Sequence, residues 1–298
     1  MPIFDRSRLR IQPLNHRHHV EHIDEWLPLD AELPPFEPQF VLTRAGECAG
    51  EGRAGMFYRD LIPGRLGGRY VASHITIPTG GPVADWVHYH RIALQMIYVR
   101  RGWVRVVYED QGDPFVMQAG DLVLQPPGIR HRVLESSSGL EVVEVSCPAV
   151  HETFADHELE LPNAVPTKRN FAGQRFLWHV AAQTPWTGFD GGEAQETAVA
   201  DATGGLAEVR TIGGDLQAPP HDGELVFGFV LEGSATLEYR GEQPLASGDA
   251  FVIPPDEAWG LSGSSDDFRL LHVTTARLDY SRFVPSLSRG CISLYTQP

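Results

Sequence analysis

Cysteine is scarce in this 298-residue chain: Cys48, Cys147 and Cys291 stand far apart, and no C-x-x-C pair occurs. That usage fits neither a disulfide framework nor a zinc knuckle. Cys147, which follows a Val-rich stretch, reads as a small buried hydrophobe. No run approaches the roughly 18 apolar residues of a membrane span. The opening Met1-Pro2-Ile3-Phe4-Asp5-Arg6 lacks the apolar core of a secretion signal, so a cytoplasmic location is the expectation. Positive charge is also in deficit. With 24 Lys+Arg against 39 Asp+Glu, the formal net charge is −15, which disfavours nucleic acid and anionic membrane as partners. No helix-turn-helix pattern or basic region is visible, which argues against a fused transcription regulator. Turn chemistry, by contrast, is abundant, with 30 glycines and 23 prolines. An apolar fraction of 42% and a charged fraction of 21% complete the picture of a globular all-β protein, long enough for two domains.

Two stretches carry the chemistry. The first runs His88-Tyr89-His90, then Gln95, then Gly102; the second runs from Gly120-Asp121 through Pro126-Pro127-Gly128 to His131. Side chains alternate across a strand, so His88 and His90 project from one face. Ile97, Val99, Val104 and Val106 around Gly102 read as two strands meeting at a glycine turn, a hairpin that brings Gln95 back beside the histidines. The Pro-Pro-Gly turn sets a further strand that begins at His131. Three imidazoles and one side-chain oxygen converging in a small barrel make a divalent transition-metal site.

These stretches resemble the two motifs of the cupin family, G-x5-H-x-H-x(3,4)-E-x6-G and G-x5-P-x-G-x2-H-x3-N. Gln95 stands where the family usually has Glu, and Glu135 where it usually has Asn. The opening glycine is displaced, with Gly80 and Gly81 nearby. The resemblance implies a jelly-roll barrel and a metal held by His88, His90, Gln95 and His131.

The design occurs twice. Met96 to Val106, centred on Gly102, is matched by Phe227 to Leu237, centred on Gly233; Gly120-Asp121 to Pro127 is matched by Gly248-Asp249 to Pro255. The first pair lies 131 residues apart and the second 128, so one loop is shorter in the second copy. The chain therefore resembles a bicupin: an arm with leading strands at 1–64, barrel one at 65–147, a linker with leading strands at 148–199, barrel two at 200–276 and a tail at 277–298. Carried across, His88 maps to Pro219, His90 to His221, Gln95 to Val226 and His131 to Trp259. One surviving imidazole cannot hold a metal, so the second barrel is expected to be metal-free. The arm carries His16, His18, His19 and His22, read as a solvated or subunit-clasping segment, and the linker strand Phe176–Val180 is expected to lead into barrel two.

One metal per chain is expected, Fe, Mn, Ni, Cu or Zn. A neutral Gln95 ligand leaves the full charge on the ion and removes a base. By parity Glu135 shares a face with His131 and is a candidate replacement base, against a rim position in solvent. His74 is a candidate pocket residue, against a structural histidine. Trp86, Tyr89, Tyr98 and Trp103 are aromatics near the motif. Three functions stay open, ranked in this order. The first is a quercetinase-like dioxygenase acting on an enolic or aromatic small molecule. The second is a redox-neutral isomerase, lyase or cyclase resembling zinc polyketide cyclases, and the third is a non-catalytic binding cupin. A homodimer is expected.

Overall fold

The computed structural model describes residues 31, 33–47, 49–51, 55–165 and 169–278. The histidine cluster of the arm lies outside these, as do Cys48 and Cys291. Among the described residues the chain is antiparallel β with one short helix, Val199–Thr203, and one 3-10 turn, Ala181–Gln183. No helix among them is long and apolar enough to cross a membrane.

The strands form two jelly-roll barrels. In the first, a sheet ordered Leu177–His179, Leu122–Leu124, Leu94–Arg101, Leu140–Cys147, Val71–Ile77, Phe57–Asp60 and Gly50–Glu51 faces a second sheet. That second sheet runs Thr153–Ala155, His88–His90, His131–Ser136, Trp103–Tyr108 and Phe115–Gln118. The same layout recurs downstream. Leu94–Arg101 pairs with Leu122–Leu124 and Leu140–Cys147, and its counterpart Leu225–Glu232 pairs with Ala250–Ile253 and Arg269–Thr275. Gly102 and Gly233 close equivalent hairpins at φ of 75° and 70°, where a Cβ would also strike Ser137 and Ser265 respectively. Only glycine meets both demands, which is why the repeat preserves it.

The large sheets of the two barrels are buried on both faces. One face fills its own barrel; the other packs against the opposite barrel. Leu94, Met96, Tyr98, Val143 and Val145 from the first meet Leu225, Phe227, Phe229, Leu271 and Val273 from the second in a single core. Each such side chain withdrawn from water contributes about 1.5–3 kcal/mol. Polar links cross the same junction: Arg69 and Tyr70 donate to Glu224 at 3.0 and 3.1 Å, and Arg100 donates to Ser247 Oγ at 2.8 Å. Cys147 lies in this core with no surface exposed, and burial pushes its thiol well up, so it is the inert hydrophobe expected.

Two strands cross between barrels. Val41–Thr43, from the N-terminal segment, pairs with Ala250–Ile253 of the second barrel. Leu177–His179 from the linker pairs with Leu122–Leu124 of the first. This corrects the expectation that the linker strand leads into barrel two. Phe171 and Phe176 beside it insert into the first barrel's core, and that apolar burial sets the partner.

Candidate metal centre

His88 and His131 are direct cross-strand neighbours, and His90 follows two residues along on the same face. The ligand atoms of all three rings lie within 4.8 Å of one another, a group that could hold a metal ion. His88 and His131 are 3% and 6% exposed. Each ring is oriented through Nδ1: His88 on the Trp86 carbonyl at 2.8 Å, His90 on Thr153 Oγ1 at 2.9 Å and His131 on the Ile129 carbonyl at 3.2 Å. A carbonyl only accepts, so Nδ1 of His88 and His131 carries the proton and Nε2 keeps its lone pair. Oriented imidazoles of this kind are the usual surroundings of a metal-binding histidine.

Gln95 sits on the barrel-facing side of Leu94–Arg101 with Ile97 and Val99, 2% exposed. Its Nε2 donates to Glu144 Oε1 at 2.9 Å, and Ser146 Oγ donates to the same oxygen at 3.0 Å. Glu144 fixes which way the amide faces, because a carboxylate can only accept. Gln95 Oε1 is thereby turned away and has no hydrogen-bond partner. An orphaned buried oxygen costs about 1–3 kcal/mol, which coordination to a cation removes. Three imidazoles and this amide oxygen suit a borderline divalent transition metal.

Several residues of the site were not legible in advance. Glu144 faces the barrel interior; burial raises the Tyr108 hydroxyl, and the nearby Glu144 charge adds to that rise. Alternation along Leu140–Cys147 groups Glu144 with Val142 and Ser146, and that was the available signal. Gln125 extends the pairing of Leu124 with Met96, its backbone N–H bonding the Gln95 carbonyl at 2.9 Å, so the two amides are cross-strand neighbours. Tyr108 stacks on His131 with ring centroids 5.4 Å apart, and Phe176 packs on Tyr108 at 4.6 Å. With Phe115, they give the interior an aromatic wall.

Other expectations are corrected. Glu135 pairs across strands with Arg105, a bulge between Val133 and Glu135 having reversed the alternation. Its carboxylate is 37% exposed and lies 3.4 Å from the Arg105 guanidinium, outside the barrel. His74 faces the opposite barrel, bonded to Glu141 at 2.9 Å and packed 5.4 Å from the Phe229 ring. The structural alternative describes it. Tyr98 belongs to the inter-barrel core, Tyr89 stacks on Phe154, and Trp103 shares the outer face with Arg105. Trp86 is 46% exposed and contributes its carbonyl to His88. Glu135→Gln and His74→Gln should therefore keep full metal content by elemental analysis. Metal loss in either would return that residue to the site.

The second barrel is filled where the first is polar. Val226 and Trp259 occupy the places of Gln95 and His131, and both join its apolar core. Gly228 has no room for a Cβ because the Phe251 ring covers it; Ile97 and Val123 are the equivalents in the first barrel. His221 bonds the Ile253 carbonyl at 3.3 Å. His272, the counterpart of Glu144, is 6% exposed, and burial pushes its pKa down to about 3, with Arg210 and His221 adding to the fall. The unfolded chain, with an ordinary His pKa near ~6.5, binds the proton more readily. Stability is then full above about pH 6.5 and declines toward pH 3, by a few kcal/mol in order of magnitude. Denaturant midpoints measured between pH 7 and 5 should fall less for His272→Gln than for the parent; parallel slopes would refute this origin.

A cavity of about 720 Å³ lies beside the second barrel between Phe36, Phe40, Pro254 and Pro255, with Arg240 and Arg277 on its wall. Arg240 pairs there with Glu257, and Arg277 donates to the Asp222 carbonyl. None of the candidate ligands lines it.

Residues 73–146 match the family model of the cupin domain, and this part of the chain belongs to the cupin superfamily. Across both barrels the fold is that of a bicupin. No curated protein sequence matches. Among solved structures, the oxalate decarboxylase formate complex of Lactobacillus farciminis is 14% identical, with a TM-score of 0.59 over 80% of this chain and 86% of that one. A single-site mutant of salicylate 1,2-dioxygenase from Pseudoaminobacter salicylatoxidans is 17% identical, with a TM-score of 0.57 over 92% and 95%. The protein Ylba from E. coli is 12% identical, with a TM-score of 0.58 over 83% and 95%.

Proposed function

We propose that the first barrel is the active site of a metal-dependent enzyme, in which His88, His90, His131 and Gln95 hold one divalent transition metal per chain. The observation that carries this reading is the convergence of three imidazoles, each oriented through Nδ1. When bound, the ion supplies Lewis-acid activation of a substrate oxygen and, if redox-active, a route for electrons to dioxygen. Gln95 contributes no charge and so leaves the ion strongly electrophilic. Glu144 holds the amide in that orientation. Tyr108, Phe115 and Phe176 offer aromatic surface to an enolic or aromatic substrate, and the reaction we favour is its oxidative cleavage by dioxygen. The similarity to salicylate 1,2-dioxygenase supports an oxygenase on this fold, while the decarboxylase shows that the fold serves other chemistry as well.

The neutral ligand set favours a second reading, a zinc isomerase, lyase or cyclase. Elemental analysis coupled to oxygen-uptake screening with enolic and aromatic compounds separates them. About one equivalent of iron, manganese, nickel or copper with oxygen uptake supports the dioxygenase. Zinc without uptake supports the second reading. No metal after reconstitution overturns both.

A further inference from the structure

Gln125 is 1% exposed, and neither its Oε1 nor its Nε2 has a hydrogen-bond partner. Burying a whole unpaired amide is costly, and native proteins seldom tolerate it without a use. The fold itself does not ask for one. The equivalent residue of the second barrel is Ile253, fully buried, and Gln95 has Val226 as its counterpart; both pack into that barrel's apolar core. The duplicated half is thus an internal control, showing that aliphatic side chains satisfy these positions. The polar row belongs to what the first barrel does.

Its place is informative. Gln125 adjoins Gln95 across the sheet and opens the Pro126-Pro127-Gly128 turn that leads to His131, so it lies between two of the proposed ligands. Charge narrows the partner. Glu144 brings a carboxylate to this interior, and among the described residues its hydrogen bonds are to the neutral Gln95 and Ser146. Arginines on and around these strands are paired with acids: Arg91 with Glu152, Arg105 with Glu135, and Arg130 and Arg169 with Glu109. The Glu144 carboxylate, bonded to these neutral groups, would repel a substrate carboxylate.

We infer that Gln125, juxtaposed with the metal ligands, is a specificity-determining residue that reads a neutral hydrogen-bonding group, a carboxamide or carbonyl with an adjacent donor, on a planar enol or phenol bound at the metal. This rests on the proposed metal site. It also sets the chain apart from oxalate and salicylate, the compounds in its structural neighbours' names, which carry carboxylates.

The test uses the full-length protein loaded with zinc and titrated, by ultraviolet absorbance, with three 3-hydroxy-4-pyranones. Maltol carries the chelating pair and a methyl group, comenamide carries a carboxamide in place of a methyl, and comenic acid carries a carboxylate. The parent protein should bind comenamide about tenfold more tightly than maltol, the worth of one to two well-made hydrogen bonds. Comenic acid should bind no more tightly than maltol. Gln125→Leu should abolish the comenamide preference while zinc content and maltol affinity stay unchanged. Its Tm should not fall, since an orphaned amide has been removed, and Gln125→Ile should behave alike. A preference that survives in Gln125→Leu overturns the inference. So does tighter binding of comenic acid, zinc loss in the variant, or a Tm drop of several degrees, which would make Gln125 a ligand or a structural residue. A parent protein that binds neither zinc nor maltol fails at the metal site itself, whereas one that binds both without preferring comenamide fails only here.

Discussion

His131→Ala and His90→Ala will each take the purified protein from about one equivalent of metal to near none. Removing a group that merely orients a ligand lowers metal affinity about 10- to 100-fold, so removing the ligand itself should exceed the upper figure. Neither change should unfold the barrel. His131 is stacked on Tyr108 and its loss opens a small gap beside that ring, a cost of about 1–2 kcal/mol. The sharper readout is a thermal titration. A ligand that binds only the folded state adds roughly 4 kcal/mol at a thousand times its Kd, so the parent protein's Tm should climb with added metal. The two variants should show no climb. His221→Ala, in the second barrel, should climb as the parent does. Full metal content in both first-barrel variants would refute the site, and loss of metal in His221→Ala would mean the wrong barrel had been chosen.

Phe229→Ala should produce a large loss of stability without touching the metal site. The ring is fully buried between the barrels, 5.4 Å from His74 and 5.5 Å from the Arg100 guanidinium. Truncating a buried phenylalanine costs about 3–5 kcal/mol, because the cavity closes only in part. Here the loss falls on a junction between two rigid sheets, which can collapse little. At about 2–4 °C per kcal/mol for a chain of this order of size, Tm should drop by roughly 6–20 °C. Metal affinity should move less than twofold, since Phe229 and the histidines lie on opposite sides of the Leu94–Arg101 sheet. A loss below about 1 kcal/mol by denaturant titration would mean that this face does not hold the barrels together.

What the sequence disclosed follows from which features are local. The histidine triad was legible because a two-residue alternation and a Pro-Pro-Gly turn fix it at short range. The barrel pair was legible because Gly102 and Gly233 are required by backbone conformation and survive in both copies. Gln95 was legible as a candidate ligand, but not the orientation of its amide, since Glu144 approaches from a strand 49 residues on. Glu135 was misplaced because a single inserted residue reverses strand parity, and nothing in His131–Ser136 announces the bulge. His74 failed for a different reason. A sheet buried on both faces reads as apolar throughout, so alternation separates its two sides without saying which is the barrel interior. The same ambiguity hid Glu144 and Gln125 among valines and leucines.

The crossing strands bear on how this gene could be divided. A cut in the segment between residues 156 and 176 would part the strands of one barrel from those of the other, yet Val41–Thr43 would leave with the first piece and Leu177–His179 with the second. Each fragment would carry the strand that its counterpart lacks and bare a sheet edge of its own, the kind of edge that aggregates when expressed alone. The halves are thus interlocked as in a clasp. A protease nick there should leave two polypeptides that still migrate as one particle, and a gene split at that point should yield soluble protein only when both pieces are made together.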